Sequence, residues 1–297
     1  MEAGVLQARK TTDVVSALTF VMAGAAAGRL LASLRETCLP LMTTEFKEDV
    51  CLSILIYLVG YAALGGFSPL MPTKRKAWIM SVLCSLGMSL GSLPYVYRLV
   101  YIHGFDTGKM VYADDRLSVF VMSFFMTFLV LDIVVGLRIY PSEISFLTGW
   151  FHHSLYMCAC LWAMIHQISI SAVATMIMEV PTLVMALGRL DKSMRNDFLF
   201  GSTFFATRIV YLGIYIYKLM CDVSPRVVVW PVCLPAMALH LFWFQGFIQQ
   251  QMRLRTRSSE AGGSLWTLTY IFFVNIPFKW ESLMWFWLHL EKTGGIS

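Results

Sequence analysis

The sequence predicts an all-α protein, a polytopic transmembrane bundle of about eight helices (seven to nine) around a polar intramembrane cavity. Four observations carry this expectation. Hydrophobic residues make up 58% of the 297 positions and charged residues only 14%, whereas a soluble domain has about one quarter of its residues charged. Mean hydropathy is +0.66. Apolar runs of about 20 residues recur along the chain, the length a helix needs to cross the hydrocarbon layer. Ionisable residues recur inside those runs, where they are costly and face a bundle interior. A soluble globular enzyme is excluded, because so little charge cannot solvate its surface. The net charge of +5 lies in short loops, which is a membrane-orientation signal and not a nucleic-acid footprint.

The elements follow in order. Residues 1–12 form a polar lead with Arg9 and Lys10. The first span covers about 14–33. It is longer than a signal-peptide core, so it is expected to anchor the chain. Its Gly24-Ala25-Ala26-Ala27-Gly28 stripe permits close helix approach, within the chain or in a homodimer. The second span, about 50–70, is closed by Pro69 and Pro72. The third, about 77–100, contains Gly87 and Gly91 as a close-packing pair and Pro94 as a kink. The fourth, about 117–139, carries Asp132, and the fifth, about 149–170, carries His152, His153 and His166. The sixth, about 172–188, is short, holds Glu179, and is expected to break at Pro181. The seventh, about 198–220, has Arg208 in its middle, and the eighth, about 227–250, has Pro231, Pro235 and His240. The stretch 265–290, interrupted by Lys279 and Glu281, is either a ninth span or an aromatic-rich interfacial helix.

Lys and Arg counts orient these spans. With the N-terminus cytosolic, twelve basic residues face the cytosol: Arg9, Lys10, Lys74, Arg75, Lys76, Arg138, Arg189, Lys192, Arg195, Arg253, Arg255 and Arg257. Six face the other side: Arg35, Lys47, Lys109, Arg116, Lys218 and Arg226. The seven cysteines lie mostly inside apolar runs and behave as small apolar residues. Cys158 and Cys160 are two positions apart and point to different helix faces, so no metal site is expected.

The candidate site follows from depth. Asp132 lies about seven residues before the cytosolic end of its span, and His152 and His153 lie three or four residues into the next from the same side. Glu179, Arg208 and His240 fall near the middle of theirs. Such groups pair with one another inside a bilayer. Arg208 with Asp132 or Glu179 reads either as a ligand site or as an ion pair holding the bundle together. His240 reads as a ligand or as a hydrogen-bonded packing histidine. His166, fourteen positions after His152, returns to within about 40° of the same face. Tyr211 and Tyr215 follow Arg208 on roughly one face, where phenols orient a lipid headgroup or pack. If the protein is an enzyme, His152 or His153 is the general base or acyl acceptor and Asp132 orients the imidazole. Glu179, Arg208, Tyr211 and His240 then bind substrate, with Arg208 meeting a phosphate or an oxyanion.

These residues resemble the TLC-domain family, which includes the ceramide synthases and the ceroid-lipofuscinosis membrane protein. The resemblance runs through Phe128-Leu129-Val130-Leu131-Asp132, Tyr140-Pro141, Phe151-His152-His153, Met178-Glu179-Val180-Pro181-Thr182, Phe204-Phe205-Ala206-Thr207-Arg208-Ile209, Leu234-Pro235 and His240-Leu241-Phe242-Trp243-Phe244. It covers residues 50–255 as a TLC-type domain, with 1–49 as lead and first span and 256–297 as a C-terminal linker and apolar segment. Ceramide synthases carry a His-Asp element with a further Asp beyond the histidine pair. Here Ile170-Ser171-Ala172-Val173-Ala174-Thr175 stands instead. The resemblance therefore implies the TLC-domain-only branch: an endoplasmic reticulum or other endomembrane protein that binds or handles membrane lipids and influences their composition. It implies no resident cofactor. The alternative is a membrane acyltransferase with acyl-CoA as co-substrate. A secretory-pathway cargo or partner-binding protein is the second alternative.

Overall fold

The computed structural model describes residues 43–110, 114–222 and 230–260. The first span with its Gly24/Gly28 face, the stretch 265–290 and Arg226 lie outside them. Among the described residues every regular element is helical. The α-helices are α1 (Thr44–Ala63), α2 (Thr73–Tyr97), α3 (Arg116–Ile139), α4 (His152–Ile165), α5 (Ser169–Thr175), α6 (Val180–Leu190), α7 (Asp197–Phe204), α8 (Leu212–Asp222) and α9 (Trp230–Glu260). The chain divides into two compact units, Met1–Phe244 and Gln245–Ser297. In the second, the described residues 245–260 are helical, and Arg253 Nε donates to the Gln249 carbonyl at 3.3 Å.

Four helical stretches are long and apolar enough to cross a membrane: Thr73–Ile102, Arg116–Ile139, Ser169–Leu190 and Asp197–Cys221. Several of their Ser and Thr hydroxyls are satisfied inside the helix, while those of Ser89 and Ser169 have no partner among the described residues. Ser85, Ser123, Thr127, Thr203 and Thr207 each donate to the carbonyl four residues back, as an apolar surrounding requires.

Several boundaries move from the sequence expectation, each for a local reason. α1 starts at Thr44, because the Thr43 side chain caps it by accepting from the Phe46 amide at 3.1 Å. It ends at Ala63, where Gly65 takes a φ of +78° that glycine alone adopts cheaply. The fifth run does not continue to 170. It starts as a π-helical turn, Phe146–Phe151, continues as α4, and stops at His166. Gln167, with a φ of +55°, then reverses the chain into α5. His166 therefore sits exposed in a turn against Trp162. The sixth segment is longer than expected and does not break at Pro181. One 3-10 turn, Met176–Glu179, joins α5 to α6, and Pro181 occupies the first turn of α6, where its missing N–H costs nothing.

α2 is the hub, packing against α3, α5 and α6. Glycines let α3 approach it: a Cβ on Gly87 would lie 2.6 Å from Phe124 Cε1, and one on Gly91 2.8 Å from Val121 Cγ2. α1 packs on α3 through the stacked rings of Tyr57 and Phe124, with centroids 4.4 Å apart. The buried Asp49 carboxylate receives both terminal nitrogens of Arg116, at 2.5 and 2.6 Å.

Candidate functional site

The histidine pair is set by the geometry that precedes it. Tyr140 leaves the α-helical region (φ −137°, ψ 55°) and ends α3, and Pro141 prevents continuation. The Tyr140 ring folds back over Gly136, where a Cβ would stand 2.8 Å from Tyr140 Cε2 and 2.5 Å from Ile144 Cδ1. That places the buried Tyr140 hydroxyl to donate to Asp132 Oδ1 at 2.8 Å. The π turn 146–151 then delivers His152 and His153 to the first turn of α4. His153 is buried, and its Nε2 lies 3.2 Å from Asp132 Oδ2. The approach is not aligned as a hydrogen bond.

Neighbouring residues on a helix diverge by about 100°, and His152 accordingly faces elsewhere. Its ring centre lies 4.5 Å from Tyr156, one turn on, and 5.5 Å from Trp243. The Tyr156 hydroxyl lies 3.2 Å from Nε2 of His240, which is completely buried. His240 also meets the edge of Phe204, with ring centres 6.1 Å apart at 82°. The Arg208 guanidinium stands over that same Phe204 ring at 5.2 Å.

Arg208 and Glu179 meet because they share a depth. Glu179 lies eleven positions before the end of α6 and Arg208 eleven after the start of α7, helices whose facing ends are joined by a short turn. Both are about 16 Å from that end at 1.5 Å per residue. Arg208 Nη2 donates to Glu179 Oε1 at 2.9 Å and to Thr182 Oγ1 at 2.7 Å, while Nε donates to the Met178 carbonyl at 2.7 Å. Arg208 lies inside a π-helical stretch, Phe205–Tyr211. Tyr211 and Tyr215 are committed to the backbone, donating to the Ala174 and Ser171 carbonyls at 2.9 Å each. The Tyr215 hydroxyl also meets Ser171 Oγ.

The sequence-predicted residues therefore form two joined groups. One is Tyr140–Asp132–His153. The other runs His152–Tyr156–His240–Phe204–Arg208–Glu179, and the adjacency of the two histidines links them. Tyr211 belongs to neither. Tyr140, Tyr156 and Phe204 are members that sequence reasoning passed over as site residues, as it did Trp243 beside His152. The available signal for Tyr156 was its spacing, one helical turn after His152.

Tyr156 also forms one wall of a half-open space of about 90 Å³. That space is lined mainly by apolar side chains, including Met122, Ala163, Ile168, Met176 and Leu212, with Cys160 and Cys233 at its sides. The Nδ1 atoms of His152, His153 and His240 are buried without a hydrogen-bond partner among the described residues. No cluster of three or more His, Cys, Asp or Glu side chains is placed to hold a metal ion among those residues.

No family model matches this chain, and neither does any curated protein or solved structure.

Proposed function

We propose that this chain is a TLC-type multi-pass membrane protein that binds or handles lipid and thereby influences membrane lipid composition. One observation carries the reading. Tyr156 is shared between a group of imidazoles with unpartnered nitrogens and an apolar space of about 90 Å³. Buried polar atoms in native proteins find partners, and apolar cavities stay dry and take hydrocarbon. An amphiphile answers both needs: its polar group meets His152 and His240, and its hydrocarbon enters the space beyond Tyr156. On this reading the chain crosses an endomembrane, such as that of the endoplasmic reticulum, about eight times. α1, α4 and α9 then join the four apolar stretches as spans. Arg208, closed by Glu179, Thr182 and Met178, holds the bundle at that depth.

The Asp132–His153 contact supports a second reading, acyl transfer from acyl-CoA to a lipid amine or hydroxyl. His153 would act as base and Asp132, fixed by Tyr140, would stabilise the imidazolium. A lipid carrying a photoreactive group in its alkyl chain tests the first reading. It should label peptides within 156–178, and Ala163→Phe, which fills the space, should abolish that labelling in a protein that remains monodisperse. Labelling confined to outward-facing residues, unchanged by Ala163→Phe, would refute it. In the same preparation, labelled acyl-CoA with a panel of lipid amines separates the two readings. Turnover lost in His153→Ala identifies an acyltransferase; bound lipid without turnover identifies the handling role.

A further inference from the structure

A distinct feature lies at the end of the bundle where α2 starts and α6 stops. The first turn of α2 reads Thr73-Lys74-Arg75-Lys76 and contains no acidic residue. Arg189 is in the last turn of α6, and Lys192 and Arg195 follow. The two helices pack side by side, with the Arg189 guanidinium 5.5 Å from the centre of the Trp78 ring. A Cβ on Gly188 would lie 3.0 Å from Arg195 Cα, so the chain turns tightly back at this end.

Two carboxylates stand among these six cations. Asp197 is closed in a two-pronged pair with Arg195, at 2.8 and 3.0 Å. Asp191 accepts from the Ser193 amide at 2.9 Å, which holds its carboxyl below the usual range, with Arg75 contributing. Lys74, Lys76, Arg189 and Lys192 have no carboxylate within ion-pair distance among the described residues. The positive end of the α2 dipole, with no side-chain cap at Pro72, adds to the same field. Such an arrangement repels itself, and an anion relieves it.

The surroundings identify which anion. Leu70 is 92% exposed, Phe198 79%, Phe67 57% and Met194 52%. A pocket for a soluble polyanion has no use for large apolar side chains standing out around it. Cations beside protruding apolar groups, where the spans end, match the boundary between headgroups and acyl chains. We infer that this end of the bundle is a binding surface for the phosphates of anionic phospholipids, with Leu70, Phe67 and Phe198 entering the acyl-chain boundary. The inference does not depend on the function proposed above.

The test uses purified full-length protein in neutral detergent. It is titrated with an anionic phospholipid, a zwitterionic phospholipid of the same chains, and inorganic pyrophosphate, and retained lipid is counted by native mass spectrometry. The wild-type protein should retain the anionic lipid about tenfold or more over the zwitterionic one, and pyrophosphate should not displace it. The K74Q/K76Q/R189Q/K192Q variant should lose that preference. The control K47Q/K109Q, altered at the opposite end of the bundle, should keep it. Raising the salt should weaken retention by the wild-type protein, a readout that needs no variant. Equal retention by the quadruple variant, equal loss in the control, or displacement by pyrophosphate would each overturn the inference.

Discussion

Replacing Arg208 by methionine would strip a buried carboxylate of its partner. Arg208 is 6% exposed, and its guanidinium makes three hydrogen bonds, to Glu179, Thr182 and the Met178 carbonyl. Breaking a buried pair from one side costs about 3–5 kcal/mol, mostly the penalty of the orphaned charge. Glu179→Gln should cost less, about 1–3 kcal/mol, because a side-chain carbonyl still accepts from Nη2. The double variant R208M/E179M leaves no orphan, so it should recover much of the loss, with a coupling of about 1–3 kcal/mol. The nine tryptophans supply the signal for apparent thermal unfolding in a fixed micelle. At about 2–4 °C per kcal/mol, R208M should melt roughly 6–20 °C below wild type. An R208M shift of no more than about 1 °C, or an R208M/E179M protein that melts no higher than R208M, would refute Arg208 as the tie between α6 and the stretch following α7.

Two further perturbations probe packing and charge. Gly91→Ala puts a methyl 2.8 Å from Val121 Cγ2, a β-branched side chain with little rotamer freedom on a helix. It should cost about 1–3 kcal/mol in the same melt, and V121A should restore most of it. Asp115 caps α3 and accepts from the Tyr95 hydroxyl at 2.5 Å and the Ser118 amide at 2.7 Å. Burial pushes its carboxyl up, but the bonds from Tyr95 and Ser118 and the nearby Arg98 outweigh this and hold it below 3.8. A carboxyl lowered by folding adds stability above its unfolded value and loses it as pH falls through the folded value. The stability difference between wild type and Asp115→Asn should therefore be flat near neutrality and shrink below about pH 4. A difference that grows on acidification would contradict the assignment.

Depth arithmetic from residue positions brings Asp132 to a histidine and offers Asp132 or Glu179 as the partner of Arg208, of which the structure pairs Glu179. Both follow from a fixed rise per residue and the cost of a lone charge in an apolar medium. Rotation about the helix was less legible. His166 was placed by carrying a regular turn across fourteen residues, but the helix stops at Ile165 and Gln167 reverses the chain. Tyr140 was hidden for a related reason. Its contact with Asp132 needs a ring folded over Gly136 at a helix end, which no periodicity encodes. Pro181 was expected to interrupt a helix, yet it begins one, because the preceding 3-10 turn moves the start of α6 to Val180. The apolar space behind Tyr156 is a product of how small and large side chains from several helices meet, and that is beyond pattern reading.

The wide turns at 146–151 and 205–211 have a consequence for how this chain tolerates change. A turn closed by i→i+5 bonds holds more residues than an α turn, so it behaves like a spare letter inserted in a repeating text. Losing one residue from 205–211 would let the helix close up as a regular one, with nothing unsatisfied in its backbone. The loss would fall on the stretch itself, because an i→i+5 turn takes up one extra residue while the helix beyond it keeps its facing. Tyr215, beyond the wide turns, would stay on Ser171, whereas Arg208, inside them, would change direction and leave Glu179. A deletion that regularises the helix would thus cost the ion pair first and spare what lies on either side.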